Sequence, residues 1–133
     1  SDEEIEEKYY QVRSCPVVKF LDGFYDREIL DESYWNWCQS EGIIEIDNLS
    51  DEDMHLKLNA IVVYGNGGNA ELVVSSDTTQ ETYVISNKGV EINLEIIVKP
   101  GVNQIHFSCD GEALKTEGDS RTMVFQLRNY KLI

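Results

Sequence analysis

The chain has 133 residues and a mass of 15.2 kDa, enough for one domain with a hydrophobic core. Hydrophobic residues make up 41% of the sequence and aromatic residues 10%, which excludes a disordered acidic segment. The net charge of -14 excludes nucleic acids and anionic membrane surfaces as partners, because binding to phosphate requires a basic surface.

The chain begins with an acidic stretch. Residues 1–15 predict a lead-in or linker, since every residue from Asp2 to Glu7 except Ile5 is a carboxylate, and residues 16–133 predict a single β-sandwich domain. No signal peptide is recognisable, and no apolar run approaches the roughly 20 residues that a membrane-spanning helix needs. Because the first residue is not Met, we expect a fragment of a longer protein.

After Pro16 the apolar residues recur with the period of two that is typical of β-strands. The predicted strands are, in chain order, 18–21 and 24–25 (one strand or a pair), 34–39, 44–47, 54–63, 72–74, 82–85, 90–96, 103–108 and 123–132. Turn signals separate them, the strongest being Gly-Asn-Gly-Gly-Asn at 65–69. The pattern predicts an all-β fold: a two-sheet antiparallel β-sandwich, jelly-roll-like, with eight or nine strands.

The most informative segment for function is strand 34–39, in which Trp35 and Trp37 lie on one face. Tryptophans exposed on a strand can stack on sugar rings, whereas two tryptophans on an inward face fill the space between two sheets. We favour the second interpretation and predict a structural core that contains Trp35, Trp37, Ile44 and Ile46. The alternate positions of the strand then face outward.

Five residues are candidates for ligand binding: Tyr25, Tyr34, Asn36, Asp119 and Arg121. Tyr34 and Asn36 alternate with the tryptophans. Arg121 stands where a polar loop meets the last strand, two residues after Asp119. An Arg beside carboxylates forms a local bidentate salt bridge, and the sharper alternative is that it holds an anionic ligand.

The acidic turn around residue 50 offers oxygen ligands for calcium, which binds carboxylates and backbone carbonyls. The candidate ligands are Asp47, Asn48, Asp51 and Asp53. Their spacing does not match an EF-hand loop, so the competing interpretation is a solvated acidic turn. No other metal or cofactor is predicted, because the three cysteines lack the spacing of a zinc site.

No catalytic residue is predicted. The sequence contains no nucleophile elbow, zinc-protease helix or phosphate-binding loop, and its many carboxylates single out no pair for glycoside hydrolysis. We expect His55 and His106 to be structural strand residues. Cys15, Cys38 and Cys109 are expected to be buried or partly buried thiols that act as small apolar groups.

Six short motifs resemble a known family when they are taken in order. They are Gly23-Phe24-Tyr25, Trp35-x-Trp37, Ile44-x-Ile46-x-Asn48, Pro100-Gly101-x-Asn103-x-Ile105-x-Phe107-Ser108, Asp119-x-Arg121 and Leu127-x-Asn129-Tyr130. The series resembles the extracytoplasmic C-terminal β-sandwich module of bacterial cell-envelope multi-pass glycosyltransferases and sulfatase-fold phosphoglycerol transferases. It covers residues 20–133. This chain has Asn36 where the family often has Arg, and Ser120 where it often has Pro.

The resemblance implies a non-catalytic accessory module on the extracellular face of the bacterial cytoplasmic membrane, as part of a larger membrane protein. The expected partners are a cell-wall polysaccharide or teichoic-acid-like polymer and the rest of the parent chain, without membrane insertion by this fragment. Three functions stay open: a glycan-binding accessory module, a purely structural or protein-docking domain, and a small polysaccharide-active enzyme. We favour the first, because the chain combines an aromatic cluster with no catalytic motif.

Overall fold

The computed structural model describes residues 16–133, which form ten β-strands joined by turns and loops. The strands are β1 (Val17–Phe20), β2 (Glu28–Leu30), β3 (Ser33–Cys38), β4 (Glu41–Asn48), β5 (Met54–Tyr64), β6 (Asn69–Ser75), β7 (Gln80–Ser86), β8 (Val90–Val98), β9 (Gly101–Cys109) and β10 (Phe125–Leu132). The predicted lead-in, residues 1–15, lies outside the described residues. Within 16–133, no helix is long and apolar enough to cross a membrane.

The strands form two antiparallel sheets of five strands each. The first sheet has the order β1-β4-β9-β6-β7 and the second has the order β2-β3-β10-β5-β8. Four antiparallel pairs are nested, β3 with β10, β4 with β9, β5 with β8 and β6 with β7, as in a long hairpin that has been rolled up. This is the order of a jelly roll, so the predicted fold class is confirmed.

The predicted number of strands, eight or nine, is too low. Two short strands flank the eight-stranded roll at its edges, β1 beside β4 and β2 beside β3. The missing one is β2, because the three residues Glu28–Leu30 are too few to show a period. It forms a tight hairpin with β3, in which Asp31 adopts a positive φ of 55°.

The core lies between the two sheets and follows the alternation of the strands. In β8, alternate residues from Ile92 to Val98 are buried, while the residues between them, from Glu91 to Ile97, are exposed. The largest buried side chains include Phe107 of the first sheet and Phe125 of the second, whose ring centroids lie 6.3 Å apart. Burial of both inner faces is the main source of stability in such a sandwich.

Ile44 and Ile46 of β4 are 3% and 0% exposed, which confirms their predicted place in the core. Cys38 and Cys109 are buried free thiols, as expected from the sequence. Burial raises the pKa of both thiols, so they stay protonated and pack as small apolar groups. Cys15 lies outside the described residues.

Candidate functional site

The tryptophans of β3 lie on the outer face of the second sheet, so the prediction that they fill the core is wrong. Asn36 and Cys38 are buried between the sheets, at 3% and 0% exposure. Trp35 and Trp37 alternate with them, are half-buried and face away from the core. The predicted alternation is present, but its inward and outward sides are exchanged.

Hydrogen bonds explain why a polar residue occupies the inner face of β3. Asn36 Nδ2 donates to the Tyr25 carbonyl at 2.9 Å, and Asn36 Oδ1 accepts from the Tyr130 hydroxyl at 2.7 Å. The Tyr34 hydroxyl donates to the Tyr130 carbonyl at 2.6 Å. Because its polar atoms have partners, Asn36 is stable in the interior. Asn36 is therefore not an exposed ligand contact, contrary to the sequence prediction. The Tyr34 hydroxyl likewise forms a structural hydrogen bond and is not directed at a ligand.

A bulge in β10 provides these partners for β3. The pairing of β10 with β5 shifts register between Arg128 and Lys131, and Asn129 adopts a positive φ of 47° at that point. Asn tolerates this conformation better than most residues. The Asn129 side chain also accepts a hydrogen bond from the Tyr34 backbone N–H at 3.0 Å, which fixes the bulge to β3.

The outward side chains of β3, β10 and β5 form one continuous surface, which we call the aromatic face. It consists of Trp35, Trp37, Gln126, Arg128, Ile61 and Val63. Cross-strand pairing sets these six side chains in two rows, each of which spans ~10 Å across the three strands. Ile61 is 37% exposed and the other five are half-buried, so the face is accessible to a ligand without being fully solvated.

Arg128 lies at the centre of the aromatic face. Its pairing partners are Trp35 on β3 and Ile61 on β5. The guanidinium carbon lies 4.6 Å from the centroid of the Trp35 ring, within the range of a cation–π interaction, and Nη1 donates to Gln126 Oε1 at 3.2 Å. These two contacts hold the guanidinium in one orientation on the sheet surface.

A second arginine lies beside the aromatic face, in a group that we call the Arg121 cluster: Tyr25, Glu28, Asp119 and Arg121. Glu28 is the cross-strand partner of Trp35, which connects the cluster to the face. Arg121 Nη1 donates to Glu28 Oε2 at 3.2 Å, and Nη2 donates to Asp119 Oδ2 at 2.8 Å. The guanidinium carbon lies 5.6 Å from the centroid of the Tyr25 ring.

The charged groups of the Arg121 cluster form ion pairs with one another. Hydrogen bonds from Arg121 lower the pKa of the Asp119 carboxyl to about 2, from an ordinary value of 3.8. The bonds to Asp119 and Glu28 in turn raise the pKa of Arg121. The local salt bridge expected from the sequence is therefore present.

The structure brings together three of the five predicted ligand-binding residues. Tyr25, Asp119 and Arg121 meet in one cluster, while Tyr34 and Asn36 direct their polar groups into the protein. Arg128 was not predicted from the sequence. The signal for Arg128 was the alternation of β10, in which buried Phe125 and Leu127 imply that their neighbours face outward. The pairing of β10 with β3 joins residues about 90 positions apart, so no local sequence pattern predicts it.

Two buried side-chain atoms within residues 16–133 lack a hydrogen-bond partner, and both belong to outward positions of the second sheet. They are Trp35 Nε1 on β3 and Asn59 Oδ1 on β5. One is a donor and the other an acceptor. Leaving such a group unpaired costs about 1–3 kcal/mol.

The predicted calcium ligands do not converge. Asn48 is buried, donates from Nδ2 to the carbonyls of Glu52 and Val98, and accepts from Ser50, so it stabilises the turn. Asp47 precedes it on the opposite face of β4. No group of three or more His, Cys, Asp or Glu side chains in the described part of the chain is placed to hold a metal ion. Calcium binding by Asp47, Asp51 and Asp53 stays a prediction.

A cleft of about 490 Å³ lies at the other end of β5, away from the aromatic face. Its lining includes His55 and Lys57 of β5, Glu95 of β8 and Thr79 of the turn before β7. A weak ion pair of 3.8 Å joins Lys57 to Glu95, and the Thr79 hydroxyl donates to the Glu95 carbonyl at 3.2 Å. The Thr79 bond connects the β6–β7 hairpin to the edge of the second sheet.

No family model and no curated protein matches the sequence. Several solved structures resemble the fold at low identity. "Xyl-CBM35 in complex with glucuronic acid containing disaccharide" is 8% identical, with a TM-score of 0.49 over 90% of this chain and 93% of that chain. A GH26-CBM35 β-(1,4)-mannanase from Podospora anserina is 10% identical, with a TM-score of 0.49 over 90% of this chain and 28% of that chain.

A family 35 carbohydrate binding module from Clostridium thermocellum is 13% identical, with a TM-score of 0.43 over 86% of this chain and 97% of that chain. Identities and TM-scores of this size assign neither a family nor a ligand to the chain. The indications of function therefore come from the contacts of the aromatic face itself.

Proposed function

We propose that this domain is a non-catalytic glycan-binding module and that the aromatic face holds the glycan. The observation that carries the proposal is the outward position of Trp35 and Trp37 on a three-strand surface that also contains Arg128. Solvated sheet faces are usually covered by short polar or charged side chains. Two half-buried tryptophans at such positions mark a binding surface.

The chemistry of the aromatic face suits a sugar. One side of a pyranose ring is lined with C–H groups, which pack on indole and aliphatic surface such as Trp37 and Val63. Hydroxyl groups donate and accept hydrogen bonds, and the face offers both a donor and an acceptor in Gln126, with further donors in Arg128.

Calorimetric titration with neutral and acidic polysaccharides tests the proposal. We expect saturable binding to at least one polymer and a loss of tenfold or more in Trp37→Ala. Because this substitution also removes packing, Gln126→Ala is a second variant that should weaken binding with less effect on folding. The matched control is Val84→Ala on the outer face of β7, which is exposed and belongs to the opposite sheet.

Binding that survives in both Trp37→Ala and Gln126→Ala, with unchanged affinity, would move the site elsewhere. If no polysaccharide binds at millimolar sugar, the glycan-binding function is contradicted. A soluble protein that competes for the same face would then favour the docking function instead. Turnover of a polysaccharide that is abolished by replacing one carboxylate would favour the enzyme.

We also propose that the module is attached to a polymer-synthesising membrane protein of a bacterial cell envelope, on its extracellular side, with a cell-wall polysaccharide or teichoic-acid-like polymer as the glycan. The support is the ordered series of sequence motifs from Gly23 to Tyr130. An antibody raised against this domain tests the proposal. It should detect a larger membrane-bound chain whose domain is digested by protease added outside intact cells.

A further inference from the structure

The two arginines beside the tryptophans differ in their ion pairs. Arg121 has two carboxylate partners, Glu28 and Asp119, within 3.2 Å. Arg128 forms no ion pair with any other residue in 16–133. This difference is unexpected from composition, because acidic side chains outnumber basic ones by 25 to 11 and a free Arg has many carboxylates to choose from.

The geometry of the sheet keeps carboxylates away from Arg128. Its neighbours across the strands are Trp35 and Ile61, and the row continues to Glu28 on one side and Glu91 on the other. Glu28 is already bound to Arg121, and Glu91 is separated from Arg128 by a whole strand. Among residues 16–133, the neighbours of the cation are therefore apolar groups and the neutral amide of Gln126.

The guanidinium of Arg128 is also positioned to bind a ligand. A guanidinium has five N–H donors in one plane, and the bond to Gln126 uses a single donor of Arg128 among the described residues. The cation–π contact with Trp35 restricts the position of the guanidinium, which lowers the entropy that binding would otherwise cost. A planar fork with free donors matches the two oxygens of a carboxylate or the oxygens of a sulfate or phosphate ester.

We propose that Arg128 binds an anionic substituent of the glycan, so that the aromatic face prefers acidic polysaccharides over neutral ones. The inference rests on the proposed glycan-binding function and specifies its ligand class. The ring of the sugar packs on the tryptophan row while its carboxylate, sulfate or phosphate group receives two parallel N–H bonds from Arg128. Charge-assisted bonds of this kind are the strong ones, which makes the selectivity measurable despite the net charge of -14.

The test compares three polymers built on the galactose ring: a neutral galactan, a polygalacturonate and a sulfated galactan. We expect the protein to bind at least one acidic polymer about tenfold more tightly than the neutral one near physiological salt, the range for hydrogen bonds to a charged group. The ratio between the uronate and the sulfate identifies the anion. In Arg128→Gln the preference should fall to about one, and in Arg128→Lys it should be intermediate, because Lys keeps the charge but loses the fork.

The matched control is Lys19→Gln, which removes one positive charge from an exposed position on the outer face of the first sheet. It should keep the full acidic preference. Equal binding of acidic and neutral polymers, or a preference that persists in Arg128→Gln, overturns the inference but leaves the glycan-binding function standing. An equal loss in Lys19→Gln also overturns it, since the effect would then be one of overall charge. Binding to none of the three polymers overturns the inference, and the proposed function is contradicted only when no polysaccharide of the wider titration binds either.

Discussion

The two sheets have similar inner faces and different outer faces. The outer face of the first sheet is mostly polar, with side chains such as Lys19, Glu45, Gln104 and His106, and within residues 16–133 it carries no Phe, Tyr or Trp. The outer face of the second sheet places two tryptophans and an arginine at the centre. Both inner faces are filled mainly by aliphatic residues and phenylalanines.

The difference shows which face of a β-sandwich gives information about function. An inner face must be apolar for the chain to fold, so its composition reports only on stability. An outer face is free to be polar, and large side chains there need another reason. Trp35 and Trp37 therefore carry more functional information outside the core than they would inside it.

The sharpest way to test the comparison is to truncate an aromatic ring on each side of the second sheet. Phe125→Ala removes a side chain that is 0% exposed, and we expect it to lower the free energy of unfolding by about 3–5 kcal/mol. Trp37→Ala removes a half-buried ring and should cost less, about 1–3 kcal/mol. Urea denaturation measures both. Equal losses would mean that the aromatic face is a hidden part of the core.

A smaller effect is expected from Asn36, the polar residue on the inner face of β3. Asn36→Ala leaves the Tyr25 carbonyl and the Tyr130 hydroxyl without their partner, which should cost about 1–3 kcal/mol. Asn93→Ala on the exposed side of β8 is the matched control and should change stability by less than about 0.5 kcal/mol. If the two variants lost equally little, water would have replaced the bonds of Asn36.

These bonds also explain why the sequence predicted the strand but not its orientation. A period of two shows which residues share a face, but not which face is inward. On β3, size favoured Trp35 and Trp37 as the inward pair. The structure decides otherwise because β10 presents Phe125 and Leu127 to the core, and because Tyr130 offers a partner to Asn36.

Most of the fold was predictable, because eight strands have clear alternation between turn signals, as in β8 and in β9 after Pro100. The candidate site was only partly predictable. Asp119 and Arg121 lie two residues apart, so their ion pair could be inferred locally. Arg128 and Trp35 come from strands distant in sequence, and their contact depends on a register that no local pattern contains.

The Arg121 cluster makes the stability of the second sheet depend on acid. The pKa of Asp119 is about 2 in the folded protein and 3.8 ordinarily, so its ion pair stabilises the fold above pH 3.8 and is lost as the pH falls through 2. Asp119→Asn should lower the melting temperature at neutral pH. The difference from the unmodified protein should shrink between pH 4 and pH 2 and vanish below that range. A pH-independent difference would show that the side chain matters for packing instead.

The smallest expected effect concerns the indole N–H of Trp35. Trp35→Phe keeps a ring under the Arg128 guanidinium but removes the buried donor that has no partner. The lost packing and the weaker cation–π contact are offset by the removal of an unpaired group, so we expect the free energy of unfolding to change by less than about 1 kcal/mol. Trp35→Ala, which also removes the contact with Arg128, should lower the free energy of unfolding by more.

If a glycan accepts from Nε1, Trp35→Phe should weaken glycan binding while its stability stays the same. A binding titration measured beside a urea denaturation curve separates the two effects. A large loss of stability in Trp35→Phe would instead mean that the N–H already has a partner in the folded protein.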